Sequence, residues 1–252
     1  MSDDNDYFIG YAAETPARDR RFMLRLGLSL TLGCGALGAG LAAFQRQPGN
    51  GTWDVEDRQW QGVVHADPFP MLRTRDVDGT VRSLWLVCPF KCGVRTIVSA
   101  YDGQAVTLRG SLIARDGFYM LAAAEGSDWI APASSTAEPA LGLPAAESLE
   151  RVTLVGEILD MKCFAGAMRP STGKPHKACA SLCIRGGVPP ALFARDRRGA
   201  YRPLLLVDEN GEAHSPEPLL PLVADPVRIE GQLLRRKDTL FLSSPIADIR
   251  RT

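Results

Sequence analysis

Apolar positions along the chain follow three regimes. From Leu26 to Phe44 no charge interrupts the run LGLSLTLGCGALGAGLAAF. As a helix rising 1.5 Å per residue it spans roughly 28 Å, close to the hydrocarbon thickness of a bilayer. Beyond residue 50 the apolar residues instead come in short stretches, alternating or continuous, bounded by Asp-Gly, Asn-Gly or Pro. That pattern predicts strands. Between Asp160 and Gly187 the pattern changes again. Pro175 suits the first turn of a helix and Gly186-Gly187 its end, so a helix is expected there.

The strand-like stretches repeat. Val81–Val87 (VRSLWLV) matches Tyr201–Val207 (YRPLLLV), and Val106–Ile113 (VTLRGSLI) matches Val227–Leu234 (VRIEGQLL). The segment opening at Trp60-Gln-Gly62 has its counterpart in Val152–Leu159, around Gly156. Glycine inside V-x-L-x-G-x-L implies a bulge or strong bend, and Asp102-Gly103 and Asn210-Gly211 suit turns. The fold expected is mainly β. A cytoplasmic tail (1–21) and a transmembrane anchor (22–46) lead into an OB-like barrel (53–128). An Ala/Pro/Ser-rich linker (129–150) and a second OB-like barrel (151–250) follow. A β-sandwich would also accommodate the pattern. Late in the unit the copies are offset by 120 and 121 residues, but their opening glycines, Gly62 and Gly156, by only 94. The second copy therefore carries an insertion (160–190) that its barrel does not need, and function is sought there.

Arg18, Arg20, Arg21 and Arg25 precede the apolar run, whereas Arg46 and Arg58 follow it at a similar distance. The positive-inside rule then places the N-terminus in the cytoplasm and the rest across the membrane. A cleaved signal remains open: Gly40-Leu41-Ala42 could be processed, and Arg20–Arg25 resembles a twin-arginine signal. Retention is favoured by Tyr7-Phe8-Ile9-Gly10-Tyr11 in the tail. Gly27, Thr31, Gly35, Ala39 and Ala43 also form a small-residue stripe where another membrane helix could pack. The partners expected are other integral membrane subunits.

Six cysteines carry the candidate chemistry. On the expected helix His176, Cys179 and Cys183 stand at i, i+3 and i+7, within about 60° of one another. Cys163 arrives from the end of the preceding strand. A four-ligand set of Cys163, His176, Cys179 and Cys183 suits one zinc ion, or a softer copper ion. The other reading is a disulfide with a spare thiol, in keeping with an oxidising compartment. Cys88 and Cys92 can pair with each other. His65 and His214 stand alone and suit barrel rims. A nucleophilic reading, with Cys179 or Cys163 activated by His176, lacks a third orienting residue, so no catalytic residue is assigned.

Lys plus Arg equals Asp plus Glu at 29 each, so no bulk charge recruits nucleic acid. Locally, residues 151–202 hold ten basic residues against three acidic ones, a charge of +7, and the remainder carries −7. A positive surround would favour thiolates.

The string Gly156-Glu-Ile-Leu-Asp-Met-Lys-Cys163, followed by His176-x-x-Cys179-Ala-x-x-Cys183 and Gly186-Gly187-Val-Pro-Pro190, resembles a motif of uncharacterised bacterial membrane-anchored exported proteins with an OB-like core. The resemblance covers about 35 residues. It implies Cys163, His176, Cys179 and Cys183 as signature positions and a loose association with respiratory gene clusters, but supplies no activity. The expected role is a non-catalytic, membrane-anchored periplasmic subunit of an electron-transfer complex. A periplasmic metal-handling or thiol-redox protein is the competing expectation.

Overall fold

A computed structural model describes residues 15–44, 51–134, 138–166, 168–195 and 201–252. The chain divides into two compact units, Met1–Gln47 and Pro48–Thr252. The Tyr7–Tyr11 segment lies outside the described residues.

The described part of the first unit is one helix, α1 (Ala17–Phe44), long and apolar enough to cross a membrane. It starts ahead of the expected anchor because arginine is a good helix former, so Arg18, Arg20 and Arg21 extend the helix back to Pro16. The Pro16 carbonyl accepts the Arg20 amide at 3.0 Å. Within the apolar run, Thr31 satisfies its hydroxyl by donating to the Gly27 carbonyl at 2.8 Å.

The second unit contains two closed five-stranded barrels with the same strand order. The first uses β2 (Arg58–His65), β3 (Met71–Arg75), β4 (Val81–Val87), β5 (Ala105–Arg115) and β6 (Phe118–Ala123). Neighbours run antiparallel except β4 and β6, which are parallel. β5 closes the barrel by pairing with both β2 and β6. A short helix, α2 (Arg95–Val98), lies between β4 and β5. β1 (Thr52–Trp53) and β7 (Ile130–Pro132) also pair with β5. In the second barrel β8 (Glu147–Asp160), β9 (Pro190–Arg195), β10 (Tyr201–Val207), β11 (Pro226–Arg236) and β12 (Thr239–Ser243) take the same places. β10 and β12 are its parallel pair, α5 (Pro216–Leu219) lies between β10 and β11, and β13 (Ile249–Arg251) pairs with β11. The stretch between the copies is ordered at both ends: Ile130–Pro132 and Glu147–Glu150 each join strands.

The barrels differ between their first and second strands. Residues 66–70 connect β2 to β3. The corresponding connection in the second barrel, residues 161–189, holds helices α3 (Met161–Ala165) and α4 (Lys177–Arg185).

Alternation explains most strands. On β11 Val227, Ile229 and Gly231 point inward while Arg228 and Glu230 face water. A Cβ on Gly231 would meet the Ser243 carbonyl oxygen at 2.5 Å, and the β8–β11 register shifts just beyond it, between Gln232 and Leu234. The glycine thus permits the close strand approach at which the barrel bends. β4 does not alternate because both its faces are covered. Leu84 and Leu86 fill the first barrel with Val64, Leu72, Val106, Leu108 and Leu121. Trp85 and Val87 point the other way, into a core shared with the second barrel. Met71, Ile113 and Met120 meet Phe164, Phe193 and Phe241 there.

Candidate metal centre

The site begins where β8 runs out. Asp160, fully buried, caps α3: its Oδ1 accepts the Cys163 amide at 2.8 Å. A short helix needs such a cap because its first amides have no partner within the helix. All five residues of α3 are buried. Arg115 of the first barrel holds its far end, donating to the Phe164 carbonyl at 2.7 Å with its guanidinium 4.4 Å from the centre of the Phe164 ring. Cys163 is thereby fixed from both barrels.

The chain returns through a 3-10 turn at Lys174–His176, which leads into α4. Cys179 and Cys183 lie one turn apart on α4, facing Cys163. The Cys163 sulphur is 3.7 Å from that of Cys179 and 3.8 Å from that of Cys183. All three sulphurs lie within 4.8 Å of one another, and all three residues are free thiols. Cys163 and Cys183 are buried and Cys179 is half-buried.

His176 is placed differently. It ends the 3-10 turn, so the 100° phase of α4 does not carry back to it. Its Nε2 lies 3.1 Å from Asp160 Oδ2 in a fully buried pair. Since a carboxylate only accepts, Nε2 is the donor. Asp160, Cys163 and His176 form a second group within 4.8 Å, overlapping the thiol group at Cys163. Of the four expected ligands, then, three sulphurs converge, and the imidazole shares the neighbourhood of one of them.

The first barrel supplies the rest of the surround. Cys88 and Cys92 are joined by a disulfide, and Lys91 projects from the loop they close. Its ammonium donates to the Cys179 sulphur at 2.7 Å. Lys162 is buried and donates to the Cys88 carbonyl at 3.0 Å and to the Phe90 carbonyl. The hydrogen bond to Cys179, with the field of the three sulphurs, raises the Lys91 pKa. Burial lowers that of Lys162, against the pull of Cys183, Cys163 and Asp160. The Cys163–Cys183 hydrogen bond divides the two thiols. It draws Cys183 down, while that bond, burial and Asp160 push Cys163 up.

Asp160, Lys91 and Lys162 were not among the expected site residues. Asp160 had a signal, an N-cap residue type three positions before Cys163. Lys91 had none, because it comes from 88 residues away in sequence. The excess of basic residues in 151–202 contributes Lys162 to the site, while Lys177 is taken up by Asp225 at 2.9 Å.

The end of α4 locks onto the disulfide loop. The Gly93 amide donates to the Gly186 carbonyl at 2.5 Å, and a Cβ on Gly186 would meet the Lys91 carbonyl oxygen at 2.0 Å. Gly186→Ala is therefore expected to force helix and loop apart. The cost should be about 1–3 kcal/mol, as for other overpacked contacts, read as a lowered urea midpoint. An unchanged midpoint would show that the contact is loose.

His65 and His214 stand away from the thiols. The His65 Nε2 lies 3.1 Å from the Leu141 carbonyl oxygen. His214 is half-buried and its pKa is lowered by burial, against the weaker opposing fields of Asp208 and Glu209. A depressed histidine is neutral in the folded chain but protonates once unfolded. Its contribution to stability is whole above the unfolded value of about 6.5 and is lost as pH falls through the window below it. Comparing urea midpoints at pH 7.5 and 5.0 should show a smaller acid loss in His214→Gln than in the parent chain. Equal losses would remove His214 from the acid response.

No family model, curated protein or solved structure matches the chain.

Proposed function

We propose that the chain is a single-pass membrane protein whose exported part, two OB-like barrels, holds one resident thiolate-bound metal ion. We propose further that it serves as a non-catalytic component of a bacterial inner-membrane complex, most plainly an electron-transfer one. The sulphur spacing carries the first part. An ion bound at the usual metal–sulphur length of about 2.3 Å in a tetrahedral shell separates its sulphurs by about 3.8 Å. Cys163 stands at 3.7 and 3.8 Å from its two partners. A disulfide would require about 2.05 Å.

Several features support the remainder. The closed five-stranded order, with its parallel third–fifth pair and a short helix after the third strand, supports the OB-like reading. Residues 161–189 then read as the insertion, and burial beneath the first barrel suits an ion that stays in place. The arginines in the first turns of α1, ahead of its apolar run, favour a cytoplasmic N-terminus, and the stripe from Gly27 to Ala43 suits packing against a partner's membrane helix.

The test uses the full chain, purified in mild detergent. We expect about one equivalent of metal by elemental mass spectrometry, with the thiols of residues 163, 179 and 183 titrating only after chelation. Stoichiometric membrane partners should copurify. Absence of metal together with a Cys163–Cys179 or Cys163–Cys183 linkage would replace the metal centre by a stapled lobe. Purification without partners would count against the subunit role.

A second reading, metal handling or thiol-redox exchange, draws on the half-buried Cys179 with an ammonium on its sulphur. It requires that a soluble chelator strip the ion within minutes from the folded protein. A resident ion would be retained for hours.

A further inference from the structure

Resting on the metal-centre reading, we infer that the site is a three-coordinate trithiolate for a soft monovalent ion, copper(I). In this arrangement His176 lies outside the coordination shell, and Lys91 and Lys162 act as outer counter-charges.

The donor set is the first reason. Among the described residues, no fourth histidine, cysteine or carboxylate places a donor atom within 4.8 Å of all three sulphurs. Neither ring nitrogen of His176 does so, and its Nε2 is committed to Asp160, whose other oxygen caps α3. Recruiting His176 would break a fully buried hydrogen bond and disturb the residue that fixes Cys163. Zinc in a structural site takes four protein ligands, whereas copper(I) is well served by soft thiolates.

Geometry agrees. With two sulphur–sulphur edges at 3.7 and 3.8 Å and the third within 4.8 Å, an ion in the plane of the trio and equidistant from its sulphurs lies about 2.2–2.4 Å from each, a normal metal–thiolate length. The trio can bind in its own plane, with no apical donor.

The cationic surround suits a trio of thiolates. Three thiolates around a monovalent ion leave two negative charges, which a buried site must balance. Two ammonium groups are present. Lys91 donates to Cys179 and its field reaches Cys163 and Cys183. Lys162, held by two backbone carbonyls, faces Cys183 and Cys163. An ammonium also cannot ligate, so Lys91 covers the trio without completing a tetrahedron.

The experiment takes the full chain in detergent, reduced and loaded without oxygen, with copper(I) supplied from a competing chelator and, separately, with zinc(II). X-ray absorption of the copper-loaded protein should show three sulphur neighbours at about 2.2 Å and no nitrogen neighbour. His176→Asn should leave the three-sulphur absorption signature of the copper-loaded protein unchanged, whatever it does to affinity through Asp160. Cys183→Ser should lose at least about 100-fold. A four-coordinate ion with a nitrogen neighbour that disappears in His176→Asn would overturn the trithiolate assignment while leaving the metal centre standing. Retention of neither ion by the parent chain would instead remove the metal centre itself. If His176→Asn does not fold, the absorption spectrum of the parent decides alone.

Discussion

Trp85→Ala is expected to lower stability by about 3–5 kcal/mol, the usual cost of deleting a large buried aromatic, and to split unfolding into two transitions. Trp85 is 3% exposed. It projects from β4 away from the first barrel's own interior. Its ring lies edge-on to Phe69 at 6.5 Å and to Phe241 of the second barrel at 6.2 Å. Its ring bridges aromatic rings of both barrels, so its removal opens a void at the seam. The parent chain should unfold in one step, because each barrel buries apolar surface of the other. In the variant the first barrel should melt earlier, as a separate event. Leu86→Ala, one position along but directed into the first barrel, should destabilise comparably without splitting the curve. A single transition in Trp85→Ala, displaced by under about 1 kcal/mol, would show that the barrels do not depend on the shared core.

Asp160→Ala should cost about 2–4 kcal/mol and loosen the thiol trio. One part, about 1 kcal/mol, is the lost cap on α3. The other, about 1–3 kcal/mol, is the buried N–H of His176 left without an acceptor. With α3 released, Cys163 loses its fixed position relative to Cys179 and Cys183. Thermal midpoint and retained metal should fall together in this variant. Asp160→Asn keeps an oxygen for the Cys163 amide and should retain part of both. A stable Asp160→Ala chain with full metal content would show that the trio does not need the cap.

The sequence announces elements whose physics is local and misses what two barrels create by meeting. Strands such as Val227–Leu234 are legible because alternation and a bend-permitting glycine are properties of one segment. Val81–Val87 is legible as a strand, but not as one buried on both faces, since nothing in the segment names what covers Trp85. Cys179 and Cys183 share a face because both lie within α4. His176 falls to Asp160 because a tight turn intervenes before the helix begins, and one residue of altered backbone rotates a side chain away from its expected face. The cap at Asp160 is visible once α3 is known to start there. Lys91 depends on how the disulfide loop of one copy meets the lobe of the other, a relation with no periodicity to reveal it. The ends of the Ala/Pro/Ser-rich stretch read as linker because their composition is poor in strand formers. They become strands by pairing with β5 and β11.

The lysine on the disulfide loop has a consequence for the order of events during synthesis. The chain makes Cys88, Lys91 and Cys92 well before Cys163, Cys179 and Cys183 emerge, and domains fold from the N-terminal end as they are made. The strands of the first barrel and the lysine-bearing loop are therefore already made when the late thiols arrive. Those thiols spend little time both exposed and unaccompanied, the interval in which a reactive sulphur would find the wrong partner. Reversing the order of the two copies would preserve every contact in the finished molecule and forfeit that protection.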